Sequence, residues 1–331
     1  MLSVSGVVLS SLMVASSLHA EAAAESLPSQ VGDWAVLESV APEVTEDLHQ
    51  HLLVESDRVV APLAEGESSV PMDADEPITV GGYGGLSVDI EISGPEEGGA
   101  EVAADGVVVF DHGSDARTIP LLKSDGSVQI TTVIDGPASP VRYGYEISAV
   151  GLERIEEIEG GVLVLYGGSD EYLGSIAPAW AKDASGKDVP TWYEIDGASV
   201  TQVVDHSSRD VDYPIVADPW LGIDLFSWTS YDTYNGQLRV NARKSVYGQG
   251  IHAPGTGQAI FLTAGWNELK AKRSRVTEKK SLRQQYDCHV AGGFFNIAGD
   301  WNLEKFRPTR TRSWTYGVAR HRCNWTTANN L

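Results

Sequence analysis

The sequence predicts a mostly β protein: an antiparallel β-sandwich or barrel followed by a smaller, disulfide-closed α+β domain. Three observations carry this. Between Ile78 and Asp218, short alternating or β-branched runs recur at sandwich-like spacing, each bounded by glycine, proline or aspartate. The formal charge reverses along the chain, with 8 Lys and Arg against 39 Asp and Glu in residues 1–220 and 16 against 7 in residues 221–331. Both cysteines, Cys288 and Cys323, lie in the second, basic part. At 331 residues and 42% hydrophobic, the chain is long enough for two domains and too apolar for disorder. Opposite charge in its two parts implies modules with separate partners, or modules that contact each other.

Residues 1–24 read as a secretory signal peptide, because a short serine-broken apolar run leads into the small-residue stretch AEAAAES. The run is too short and too polar for a membrane anchor, so no transmembrane segment is expected in the mature chain. Export places the protein outside the cell, in an oxidising setting.

Residues 25–77 are acidic and proline-punctuated and read as a linker or pro-segment, with one amphipathic helix expected over 43–54. His49 and His51 lack a third ligand nearby, so no metal is assigned. Residues 78–220 form the acidic β-sandwich domain. Its strands are expected at 86–92, 106–110, 127–134, 143–148, 161–167 and 198–206, with Asp-Gly turns at 105–106, 125–126, 135–136 and 196–197. GGYGG (81–85) belongs to the same turn chemistry, as no phosphate-loop lysine follows it. Acidic clusters such as EEIE (156–159) read as solvated surface, since the D-x-D-x-D-G calcium pattern is missing. The stretches APAWAKDASGKDVPTWYEIDG (177–197) and DYPIVADPW (212–220) resemble a β-rich module found ahead of varied C-terminal domains in secreted Gram-positive proteins.

Residues 225–325 form the basic α+β domain. A hairpin is expected around Asn235-Gly236, then a helix pattern opened by Thr263 within 259–276, a second short helix, and a strand at His289. The KAKRSR run supplies a basic face through Lys272, Arg273 and Arg275. A solitary pair of cysteines 35 positions apart in an exported chain favours one Cys288–Cys323 disulfide. A catalytic thiol based by His289 or His321 is the alternative, but adjacency in sequence is not the geometry a thiolate pair requires.

The order CHV (288–290), DWNLEKFRP (300–308) and HRCNW (321–325), preceded by WNEL (266–269), resembles the secreted bacterial family called domain of unknown function 2599. The resemblance spans about a third of the chain, and it implies no reaction, substrate or cofactor. Candidate roles therefore rest on residue chemistry. His289, Glu304 and His321 are the acid–base candidates, and Trp301, Arg307, Lys272, Arg273 and Arg275 the binding candidates. Glu304 and Arg307, three apart, read equally as a buried fixing pair. The first functional reading is a secreted, non-enzymatic binding protein without cofactor, whose basic module engages an anionic surface, the cell envelope or a partner protein. The second is a secreted hydrolase or nuclease-like toxin restrained by its acidic N-terminal part. Contact between the acidic and basic domains is expected in both.

Overall fold

The structure, a computed structural model, describes residues 27–94, 100–102, 107–113, 115–207, 210–252, 257–293, 299–312 and 321–329. The signal-peptide reading falls on residues outside these. Antiparallel strands dominate, and they build two sheets packed face to face. Among the described residues the first sheet has eight strands, running from the edge Leu53–Val54 through Ser87–Ser93 and Arg142–Ala149 to the other edge, Thr191–Asp196. The second has ten, with Val128–Ile134 at its centre. Inward residues of both sheets, among them Val59, Ile90, Tyr145, Ile130, Leu165 and Leu221, share one core. All six expected strands are present, in Ser87–Ser93, Val108–Asp111, Val128–Ile134, Arg142–Ala149, Leu163–Tyr166 and Ser199–Val204.

The expectation for 25–77 needs correcting: this stretch is not a linker. Arg58–Pro62 and Glu67–Pro71 pair with each other and continue the first sheet, with Val59, Ala61 and Val70 in its core. Val59, Val60 and Ala61 are all buried, so the RVVAP run is a strand whose acidic neighbours obscured it. The helix expected over 43–54 is a single turn, Pro42–Thr45, and the true N-terminal helix is Leu27–Val40. Leu37, Val40, Ala41 and Val44 pack onto Ile119, Leu121, Val133 and Val216, on the outer face of the second sheet.

The basic part covers another region of that outer face. Leu163 and Leu165 point into the sandwich, whereas the alternate residues Val162 and Val164 point out and join Leu225, Phe226, Tyr247, Ile251 and Ile260 in a second core. Runs such as GVLVLY are apolar at successive positions because both faces of the strand are covered. Gly222 sits at this seam, where a Cβ would lie 2.5 Å from two atoms of the Tyr247 ring. Tyr247 in turn donates its hydroxyl to the Ser175 carbonyl at 2.7 Å. The segment between the two parts is therefore no exposed border: Leu221, Ile223, Leu225 and Phe226 are all buried.

The basic part itself is a three-stranded sheet, Phe226–Tyr234, Gln237–Lys244 and Trp301–Glu304, packed on the helices Trp266–Lys272 and Lys280–Gly292. The expected hairpin turns at Asn235 and Gly236, whose φ of 49° and 70° give the double left-handed turn that suits strand twist. The strand expected at His289 is instead part of the helix Lys280–Gly292, which runs on through Cys288 and Val290 into the core. Cys288 and Cys323 are disulfide-bonded, and both are buried.

Candidate functional site

Burial and charge pairing sort the candidate residues. Trp301 is 1% exposed and meets Phe226, Phe261 and Tyr286 at ring-centre distances of 5.6 to 5.7 Å, so it is a core aromatic and presents no face to a ligand. His289 lies flat on the same indole, 5.6 Å away and tilted by 12°. Burial, with the Arg307 charge adding to it, pushes the His289 imidazole down to about 4, so it is neutral at physiological pH. Glu304 is buried and its carboxylate accepts from the Arg307 Nε. The Arg307 guanidinium also donates to the Trp325 carbonyl at 2.9 Å and to Asn324 Oδ1 at 3.0 Å. Glu304 and Arg307 thus form the fixing pair, and what they fix is the C-terminal segment carrying Cys323. No hydrogen bond or ion pair joins any two of His289, Glu304 and His321, so no nucleophile–base relay is assembled among them.

The KAKRSR run also works inward. Lys272 donates to Glu268 at 2.7 Å, Asp224 at 2.9 Å and the Phe226 carbonyl at 2.9 Å. Glu268, 1% exposed, further accepts from the backbone amides of Leu225 and Phe226, and burial raises its carboxyl to about 7. Arg273 donates to the Thr229 carbonyl and lies over Tyr231, and Arg275 pairs with Glu278 at 2.6 Å. These cations lock the helix Trp266–Lys272 and the turn after it onto the hairpin. Lys272 and Arg273 are thus engaged within the fold, whereas Arg275 keeps an exposed side chain beside Glu278.

The same pairing consumes the remaining acids of the module. Asp232 binds Arg239, Asp287 binds Arg283, Asp300 binds Arg243, and Glu278 takes Lys305 as well as Arg275. With Asp224, Glu268 and Glu304 already engaged, all seven carboxylates of residues 221–331 have cationic partners, and the net charge of +9 rests on other side chains.

Three exposed members of that excess, Lys280, Arg312 and Arg322, belong to one structural unit. Lys280, Gln284 and Cys288 follow at i, i+4 and i+8 along a single face of the helix Lys280–Gly292. Gln284 exchanges two hydrogen bonds with the Arg310 backbone, at 2.8 and 3.1 Å, and Cys288 holds Cys323, so the C-terminal strap (307–312 and 321–329) lies along this face. Trp325, fully buried, closes the strap by donating to the Pro308 carbonyl at 2.8 Å, and Arg310 covers its ring. Consecutive left-handed residues, Arg322 at φ 46° and Cys323 at φ 65°, accompany a Cys323 side chain turned inward to its disulfide and an Arg322 left exposed. Lys280, Arg312 and Arg322 form no ion pair among the described residues. The sequence candidates missed these three. Spacing was the available signal, since Lys272, Arg275, Arg283 and Arg307 each have an acid three or four positions away and Lys280, Arg312 and Arg322 have none.

The acidic and basic parts touch, but no ion pair among the described residues joins them. Every such pair lies within 33–194 or within 224–307, and the seam combines the apolar second core with hydrogen bonds such as those from the Tyr247 amide to Asp125 at 2.7 Å and from the Tyr83 amide to Asp224 at 2.9 Å. The described residues contain no helix long and apolar enough to cross a membrane and no cluster of three or more metal-ligating side chains.

No protein-family model matches the chain, and no curated protein matches it. Among solved structures it is similar to an active YidC insertase crystal structure with the first transmembrane domain resolved, at 10% identity and a TM-score of 0.27. That similarity covers 59% of this chain and 45% of the insertase chain, and it carries no argument about function.

Proposed function

We propose that this chain is an exported, non-enzymatic binding protein whose disulfide-pinned strap engages a polyanionic partner or surface. One observation carries the reading: the exposed cations without acid partners, Lys280, Arg312 and Arg322, are gathered on the helix and strap that the disulfide and the Glu304–Arg307 pair hold in place. Rigid backbone presenting uncompensated charge suits a phosphate-rich or carboxylate-rich polymer, because release of the polymer's counterions drives such binding. The absence of ion pairs between the acidic and basic parts among the described residues supports the same reading, as no carboxylate of the sandwich pairs with these charges.

The test is binding of the full-length protein to polyphosphate at several salt concentrations. A triple charge reversal, Lys280→Glu with Arg312→Glu and Arg322→Glu, should lower affinity at least about tenfold at low salt and flatten the salt dependence. His289→Ala and His321→Ala should bind as the parent does. Equal binding by the triple variant would overturn the reading, and polymer cleavage abolished by either histidine variant would replace it with the hydrolase.

A further inference from the structure

A second feature stands apart from the strap. The strand Phe226–Tyr234 carries a register shift between Phe226 and Trp228 against its neighbour. In regular alternation Trp228 would follow Phe226 into the core, where Phe226 is fully buried. The extra residue, Ser227, reverses the alternation and turns the indole outward, where it is 44% exposed. The cross-strand partner Arg243 then covers the ring at 5.5 Å, and Asp300 grips that guanidinium through two hydrogen bonds of 2.7 and 3.0 Å. A large apolar ring is thus both exposed and held in one orientation.

Trp228 stands at the rim of a cleft of about 540 Å³ between the hairpin and the turns of the sandwich. The polar lining is oriented in advance. Glu65 accepts from the Gly84 amide at 2.7 Å, Asp125 from the Tyr247 amide at 2.7 Å, and Asp224 from the Tyr83 amide at 2.9 Å. Lys272, deeper in the wall, is neutralised by Asp224 and Glu268. The three carboxylates of the lining are nearly balanced by Lys272 and Arg273, which line it too, so the cleft as a whole carries little net charge and suits a neutral ligand. Asp125 also accepts from the Ser127 amide and hydroxyl at 3.0 and 2.6 Å and Asp224 from Lys272 at 2.9 Å, so Glu65 keeps the most lone pairs for the hydroxyl donors of a neutral ligand and the other two keep fewer. A fixed indole offers a flat apolar face, which matches the C–H face of a pyranose ring.

We infer that this cleft binds a neutral oligosaccharide, with Trp228 as the stacking platform and Glu65, Asp125 and Asp224 as hydroxyl acceptors. The site is built from both parts of the chain, so it exists only because the seam joins them. It is independent of the polyanion reading.

The experiment titrates the full-length protein with chitotetraose, cellotetraose and maltotetraose, following tryptophan fluorescence and calorimetry. At least one tetrasaccharide should bind. Trp228→Ala should weaken that binding by about tenfold, the order expected for loss of one aromatic contact, while Trp228→Phe keeps most of it. The strap triple variant should bind the sugar normally, which separates failure here from failure of the polyanion site. Absence of binding by all three sugars, equal binding by Trp228→Ala, or preferential binding of the polyamine spermine would overturn the inference.

Discussion

Replacing Gly222 by alanine probes the seam directly. The added Cβ would lie 2.5 Å from Cδ1 and Cγ of Tyr247 and 2.9 Å from Cδ2, against an ordinary carbon–carbon contact of about 3.5 to 4.0 Å, so one partner must retreat by about 1 Å. The ring cannot swing aside cheaply. It is fully buried, its hydroxyl is bonded to Ser175 at 2.7 Å, and Trp220 packs edge-on at 5.3 Å. Overpacking a close-packed interior costs about 1 to 3 kcal/mol, and pinning on both sides places this site near the upper end, at about 3 kcal/mol. At ~2 °C per kcal/mol for a protein of this size, Tm should fall by about 6 °C. Differential scanning calorimetry on parent and variant measures this. The parent should also unfold in one transition, because both parts contribute to the second core. In a Tyr247→Leu background the same alanine should cost far less, since the opposing ring is gone. A Tm within about 1 °C of the parent, or two separate transitions in the parent, would refute the argument that the seam welds the parts together.

Two further predictions concern the basic part. His252, fully buried, donates from Nε2 to the Val290 carbonyl and accepts from Lys244 at Nδ1, and burial with the Lys244 charge pushes its imidazole down from 6.5 to about 4. Between those values the unfolded chain binds a proton that the folded chain refuses, so stability is full above pH 6.5 and falls as pH drops toward 4, by about 3 kcal/mol from this group. His252→Asn should show a shallower slope of denaturation midpoint against pH over that interval, and an unchanged slope would clear His252 of the effect. Reduction of the Cys288–Cys323 bond, which spans 35 positions, should lower stability by about 4 kcal/mol by loop entropy and weaken polyphosphate binding with it. Coincident urea curves with and without reductant would show that the strap stays seated without the bond.

Sequence alone determined much of the local order. Alternation and Asp-Gly punctuation marked all six strands expected in the sandwich, and Asn235-Gly236 marked the hairpin of the basic part, because period-two burial and left-handed turns leave direct traces in residue order. The pairing of Cys288 with Cys323 was equally legible, with no other cysteine in the chain to compete. What only the tertiary structure decided was which side chains remain available. Lys272 and Trp301 read from sequence as ligands, but Glu268 and Asp224 close on the first and a ring of aromatics encloses the second. Some of that pairing follows helical spacing, as for Glu268 with Lys272. Asp300 with Arg243 and Lys305 with Glu278 are brought together by strand and helix packing across 57 and 27 positions. Trp228 shows the limit most plainly. One extra residue in a strand reverses every side chain beyond it, and a bulge arises from the fit of the strand to its partner and its core, which no single stretch of sequence contains.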